Sequence, residues 1–211
     1  PTPEAETLEA LIDRRAAFLA QYQDEAYAEA YRARLSRLQA ALPHDHADSL
    51  TAAAARSLFK LMAYKDEFEV ARLMTSADFR AELDREFEGD FAVHYHMAPP
   101  LLNFGTDARG RPTKRALGAW MTPVLKLLAR GKSLRQTPFN PFGYHGEARM
   151  HRDLLRWYDA LLSDTIAAPT AQSPEVLQEI LSAPMEIRGY GPVREAAAQK
   201  VRNQVARLRR T

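Results

Sequence analysis

Hydrophobic positions near the start of the chain follow a helical period. Leu8, Leu11, Ile12, Leu19 and Tyr22 recur mostly at three- and four-residue steps, the mark of one apolar helix face. Tyr27, Tyr31, Leu35, Leu38 and Leu42 continue in steps of four, four, three and four. The step from Tyr22 to Tyr27 is five, which shifts the stripe and predicts a break or a second contact face near Gln23–Glu25. Pro43 stops the helix. The polar stretch PHDHAD then reads as a connector, with Asp48 or Ser49 placed to cap the next helix. Leu50, Ala54, Leu58, Leu61 and Phe68 mark one face of that helix, with Phe59, Met62 and Leu73 beside it. The run SLFKLMAYKDEFEVARLM is apolar on more than one side, which predicts a central helix. Ser76 is a cap for a short helix carrying Phe79, Leu83 and Phe87, and Glu88-Gly89-Asp90 reads as a turn.

The period then changes from helix to strand. In Phe91–Met97 the odd positions are Phe91, Val93, Tyr95 and Met97 and the even ones are Ala92, His94 and His96, an alternation that predicts a strand. Pro99-Pro100 ends it. The loop 105–110 is the expected tip of a long hairpin returning near Lys114–Leu117. Thr122-Pro123 reads as a cap followed by proline at the first helical position, and the helix over Val124–Ala129 stops at Gly131. The segment TPFNPFGYHG cannot be regular structure, and its aromatics Phe139, Phe142 and Tyr144 are expected to pin it to the body. Met150, Leu154, Trp157, Tyr158 and Leu161 define a further helix ending by Pro169. Ser173-Pro174 opens another that Pro184 closes, and Arg188-Gly189-Tyr190-Gly191-Pro192 turns into a last helix with Val193, Ala197, Val201, Val205 and Leu208. The expected fold is mainly α: residues 1–211 as a single helical domain with a small inserted β-hairpin.

Composition adds limits. A chain of 211 residues with 46% hydrophobic and 27% charged residues can bury roughly 70% of its unfolded surface and support its own core. No apolar run approaches the roughly 20 residues of a membrane span, and PTPEAETLEAL lacks the basic and apolar regions of a signal peptide. The expected setting is cytoplasmic. The chain has no cysteine, which excludes a disulfide, a cysteine nucleophile and a cysteine-ligated iron–sulfur cluster within it. It begins with Pro1 rather than Met, so it reads as a processed chain or a piece of a longer protein.

Charge is balanced in total, 29 basic against 27 acidic residues, but uneven along the chain. Residues 108–146 carry eight basic residues (Arg109, Arg111, Lys114, Arg115, Lys126, Arg130, Lys132, Arg135) and no acid, whereas Tyr64–Asp90 holds nine acids against four bases. Such runs are solvated faces that pair with one another in the fold, or a basic surface for an anionic partner.

Candidate chemistry is sparse. His94 and His96 lie two apart on one strand face, the spacing at which a strand can offer two metal ligands, but no third ligand stands nearby; the alternative is a polar strand face. Lys60, Tyr64, Lys65, Asp66 and Glu67 cluster on the central helix. A buried member could do acid–base work, against the reading of an i,i+4 charge lattice with pairing between helices. Gly189-Tyr190-Gly191 before a helix can hold an anion at the helix N-terminus with Arg188 adjacent, and a tight turn holding the last helix explains it equally well. No nucleophile elbow, dinucleotide fingerprint or P-loop occurs.

Several blocks resemble the C-terminal region of the large, multidomain indolepyruvate (2-oxoacid):ferredoxin oxidoreductases of bacteria. They are SLFKLMAYKDEFEVARL over 57–73, FEGDFAVHYHMAPPLL over 87–102, TPFNPFGY over 137–144 and IRGYGPVREA over 187–196, with AFLAQYQDEAYAEAYR early in the chain. The resemblance implies a family-specific accessory domain of an enzyme that oxidatively decarboxylates aryl pyruvates. That parent enzyme uses thiamine diphosphate with Mg, coenzyme A as co-substrate and [4Fe–4S] clusters, and passes electrons to ferredoxin. The fragment itself is expected to hold no cofactor. Its implied partners are the other domains of the enzyme, ferredoxin and a second copy in a homo-oligomer; no membrane is implied. The basic stretch with Arg109, Arg111, Lys114 and Arg115 is expected to dock the acidic ferredoxin, or else to grip the acidic Tyr64–Asp90 segment internally. The rival expectations are an independent metal-dependent enzyme using His94 and His96, and a basic helical module binding nucleic acid.

Overall fold

A computed structural model describes residues 6–89, 91–97, 113, 115–144 and 146–210. The fold is mainly α with one small antiparallel hairpin, and the chain divides into two compact units. The first joins the two ends of the chain, Pro1–Tyr64 and Tyr144–Thr211; the second is Lys65–Gly143.

In the first unit, α1 (Leu8–Tyr22) and α2 (Glu25–Ala41) are separate helices. The shifted stripe marks a real break: Asp24 turns extended and its carboxylate accepts the Tyr27 N–H, so a new helix begins there. The third helix, α3 (His44–Met62), starts directly after Pro43. The expected connector is therefore helical, and Asp48 and Ser49 are not caps. Their side chains are engaged elsewhere: Asp48 accepts from Gln39 of α2, and the Ser49 hydroxyl donates back to the His46 carbonyl.

Helix α3 is central, packing against α1 and α2 and also against α7 (Gly146–Ala167) and α8 (Pro174–Ser182). Its buried small residues Ala53, Ala54, Ala55 and Ser57 let these neighbours approach closely, and Leu50, Leu58 and Leu61 fill the space between. Tyr31, Leu35, Leu38, Leu154, Tyr158 and Leu181 complete the core. Both buried tyrosines keep a partner, Tyr31 donating to the Ala55 carbonyl and Tyr158 to that of Leu181. A 3-10 turn over Ala183–Glu186 leads to α9 (Gly191–Leu208), which seats Ala198, Val201 and Val205 in the same core.

The second unit corrects the expectation of one long central helix. Helix α3 ends at Met62, and α4 (Glu67–Met74) starts afresh because the Asp66 carboxylate accepts the Glu69 N–H. Ser76 caps α5 (Ala77–Glu86) as the pattern predicts. The hairpin pairs β1 (Tyr95–Met97) with β2 (Arg115–Leu117), Tyr95 opposite Leu117. The strand is shorter than its alternation suggests, since residues 91–94 are unpaired; the hairpin tip lies outside the described residues. Helix α6 (Met121–Arg130) begins before Thr122, so Thr122 is not its cap; the threonine hydroxyl instead meets the Tyr95 hydroxyl at 3.1 Å. Tyr95, Leu117, Met121, Leu125 and Ala71 form the small core.

Of the three aromatics expected to pin the irregular segment after α6, Phe142 is the one that is buried. Phe142 is buried edge-on against Phe68, while Phe139 and Tyr144 are exposed. Buried Asn140 supplies the remaining order, donating to the Arg135 carbonyl and accepting the Phe142 N–H.

Candidate functional site

The densest grouping of chemistry-bearing side chains lies in the first unit, where the end of α3 meets the starts of α7 and α9. Two glycines with positive φ, Gly189 (+94°) and Gly191 (+54°), turn the chain sharply into α9. Tyr190, at the cap position, offers no side-chain acceptor. Glu147 of α7 supplies one: its Oε1 accepts the Gly191 N–H at 2.6 Å, and its Oε2 accepts the Tyr64 hydroxyl at 3.1 Å. A carboxylate belongs at this end of a helix, where unsatisfied N–H groups and the helix dipole favour negative charge.

One turn along α7, His151 is buried and its ring stacks on Tyr64 with centroids 4.3 Å apart. Arg194, one turn into α9, lies over the same tyrosine at 4.9 Å and places a guanidinium nitrogen 3.4 Å from His151 Nδ1. The imidazole also hydrogen-bonds to the Leu61 backbone. Burial, with Arg194 beside it, pushes its pKa down to about 3. His151 is thus neutral at physiological pH, a hydrogen-bonding post rather than a proton shuttle.

Lys60 completes the group from α3. Its Nζ donates to the carbonyls of Pro184 and Met185 at 3.0 and 2.9 Å, fastening the 3-10 turn before α9. Burial lowers its pKa, helped by the positive charges of Arg188 and Arg194.

The sequence-derived candidates therefore divide. Lys60 and Tyr64 join this cluster, with Arg188 exposed nearby in the chain. Lys65, Asp66 and Glu67 belong to the second unit and do not share a helix with Lys60. Asp66 there pairs bidentately with Arg135, at 2.5 and 3.0 Å, with both side chains largely buried, and Arg135 also lies over Phe68. Of the two readings of the Gly189–Gly191 turn, a site for an outside anion and a turn holding the last helix, the geometry favours the second, because Glu147 already takes the Gly191 amide. His94 precedes β1 and His96 lies on it, both exposed. Among the described residues no group of three or more His, Asp or Glu is placed to hold a metal. Arg109, Arg111 and Lys114 lie outside the described residues, and Arg115 is exposed on β2.

Sequence reasoning passed over Glu147, His151 and Arg194. The available signal was the i,i+4 spacing of Glu147 and His151 at the start of an apolar helix stripe. An open cleft of about 450 Å³ lies beside the cluster between α7 and α9, lined by Arg149, Asp153, Glu195, Gln199 and Arg202. Its charges are mixed, and Arg202 is engaged with the Asp153 carbonyl and the face of Trp157. With no cysteine in the chain, an iron–sulfur cluster of the usual thiolate-bound kind does not fit it.

Among the described residues, no helix is long and apolar enough to cross a membrane. No curated protein and no solved structure matches the chain. The sequence pattern of the family of unknown function DUF6537 matches residues 8–207, nearly the whole length, and the chain belongs to that family.

Proposed function

We propose that this chain is an accessory domain of a larger 2-oxoacid:ferredoxin oxidoreductase of the indolepyruvate type, acting through contacts with the rest of that enzyme rather than by carrying its reaction. The observation that supports this reading is the commitment of its chemistry-bearing side chains to the fold. Glu147 caps α9, Lys60 holds the turn before it, and His151 is a neutral post between Tyr64 and Arg194. These fasteners fall largely in the blocks that carry the resemblance. Lys60, Tyr64 and Asp66 lie in 57–73, Phe142 in 137–144, and Gly191 and Arg194 in 187–196. On this reading thiamine diphosphate, Mg, coenzyme A and the [4Fe–4S] clusters belong to other domains, in a cytoplasmic enzyme whose acidic acceptor is drawn to the basic stretch around Arg109–Arg115.

Coding sequence directly upstream tests the assignment: it should encode a thiamine-binding motif and ferredoxin-type cysteine spacings, and unrelated sequence there overturns it. Calorimetric titration of the chain with thiamine diphosphate and Mg should give no heat beyond dilution. Tight, saturable binding would place the cofactor site here and end the accessory reading.

A further inference from the structure

The cleft between α7 and α9 has walls tied together at both ends. At one end Glu147 takes the Gly191 N–H at 2.6 Å, and Arg194 reaches His151 at 3.4 Å. At the other, Arg202 Nη2 donates to the Asp153 carbonyl at 3.1 Å and Arg209 pairs with Asp164 at 2.7 Å. Between these ties the buried residue that α9 contributes is Ala198, whose methyl group is too short to fill the gap, so about 450 Å³ stays open. That volume falls in the range of small-molecule sites, and walls fixed in advance spare a ligand the cost of ordering them. Half-buried Met150 and buried Leu154 join Ala198 as its apolar lining.

Four charged residues line the cleft, and two of them are already satisfied. Arg149 turns back on its own helix start, its Nε and Nη2 both donating to the Tyr144 carbonyl, and the Asp153 carboxylate accepts from Arg156 at 2.6 Å. Glu195 and Arg202 are left. Among the described residues the exposed Glu195 carboxylate makes no hydrogen bond or ion pair. Arg202 spends one N–H on the Asp153 carbonyl while its Nε has no hydrogen-bond partner, so the guanidinium has donors to spare. The two residues stand seven apart on one side of α9, about 10 Å along its axis, and helix side chains lean toward the N-terminus, the direction from Arg202 to Glu195. We propose that this cleft binds an apolar α-amino acid, with its carboxylate on Arg202, its ammonium on Glu195 and its side chain against Met150, Leu154 and Ala198. An anion alone would face the Glu195 charge, a cation alone the Arg202 charge, and an uncharged apolar molecule would desolvate both; a zwitterion meets each with the opposite sign. Such a site would serve a free-standing protein and a domain of a larger enzyme alike.

Calorimetric titration of the 211-residue chain tests this with L-leucine and L-phenylalanine, and with three probes that each lack one feature. Phenethylamine has no carboxylate, 3-phenylpropionate has no ammonium, and glycine has no apolar side chain. At least one of the two apolar amino acids should bind saturably, one per chain, with a dissociation constant of about 1 mM or tighter. Each of the three probes should bind at least about tenfold more weakly, because each leaves one feature of the cleft unmet. Glu195→Gln, a change at an exposed side chain without a partner, should keep the helical circular dichroism spectrum. It should weaken the amino acid at least about tenfold and erase its advantage over 3-phenylpropionate. No saturable binding of either amino acid up to about 10 mM overturns the proposal. So does equal binding of the amino acid and any one of the three probes, or an affinity for the amino acid that Glu195→Gln leaves unchanged.

Discussion

A single buried imidazole should give this fold a measurable sensitivity to acid. In the unfolded chain His151 takes up a proton near pH 6.5, whereas in the folded protein it stays neutral down to about pH 3. The unfolded state therefore binds more protons across that window. Stability is complete above about pH 6.5 and falls as pH drops, by up to about 1.4 kcal/mol per unit from this group alone. His151→Gln removes the titration. Urea midpoints measured at about pH 7.5 and about pH 5 should converge between the two proteins, wild type losing more on acidification. Equal losses in both would show that other groups, and not His151, set the acid limit. Gly189 makes a second residue-scale case. A Cβ there would lie 2.8 Å from Val193 Cγ1 at a φ of +94°, while one at Gly191 meets only Glu147 Oε1 at 3.7 Å. Both alanines are strained by positive φ, at about 1–2 kcal/mol. Gly189→Ala should cost more than Gly191→Ala in thermal melts, and Val193→Ala on top of Gly189→Ala should recover part of the difference, since it removes the Cγ1 contact but leaves Val193 Cβ at 3.2 Å. If the two alanines cost the same, the Val193 contact is not what shapes this turn.

Elements were legible where pattern and cap chemistry agreed, and were misread where they competed. The break at Gln23–Glu25, the Ser76 cap and the Ser173-Pro174 start were readable because a phase shift or a cap residue stood at the boundary with no rival use. Asp48 and Ser49 looked like caps but are used for a link to α2 and a bond back along the helix, which no local pattern reveals. The apolar run over 57–74 hid a break because its cap, Asp66, sits inside an otherwise continuous apolar pattern and is held there by pairing with Arg135 from far along the chain. The candidate site was half visible for the same reason. Lys60 and Tyr64 stood out by local clustering, while Glu147, His151 and Arg194 reach them across more than 80 residues of sequence or from a different helix.

The Asp66–Arg135 pair permits a prediction at this scale. Asp66 both caps α4 and accepts two guanidinium bonds, with the two side chains 13 and 9% exposed. Removing either partner strips a largely buried charge of its ion pair, so Asp66→Ala and Arg135→Ala should each cost about 3 kcal/mol. The double variant should recover about 1–2 kcal/mol of the sum. Additive losses in chemical denaturation would show that the two residues act separately.

At the scale of the whole molecule, the first unit closes on itself although its two halves are far apart in sequence. Arg34 of α2 pairs with Asp159 of α7 at 2.8 Å, Lys60 of α3 holds the turn before α9, and Tyr64 reaches Glu147. One continuous buried cluster runs from Leu11 to Val205 without a residue from 65–143. Among the described residues, the buried cluster of the second unit is far smaller, five residues centred on Tyr95 and Leu125. Hydrophobic burial scales with core size, so the first unit has the means to fold alone and the second is marginal. Residues 64 and 144 are bridgeable as well, because the Tyr64 hydroxyl already lies 3.1 Å from Glu147, three residues beyond Tyr144. Replacing 65–143 by a flexible linker of about eight Gly and Ser residues adds little closure entropy. The shortened protein should remain helical, unfold in one cooperative transition and keep the acid sensitivity set by His151. Residues 65–143 expressed alone should melt broadly or not at all. A shortened protein without a cooperative transition would mean that the core joining the two chain ends depends on the inserted segment for its stability.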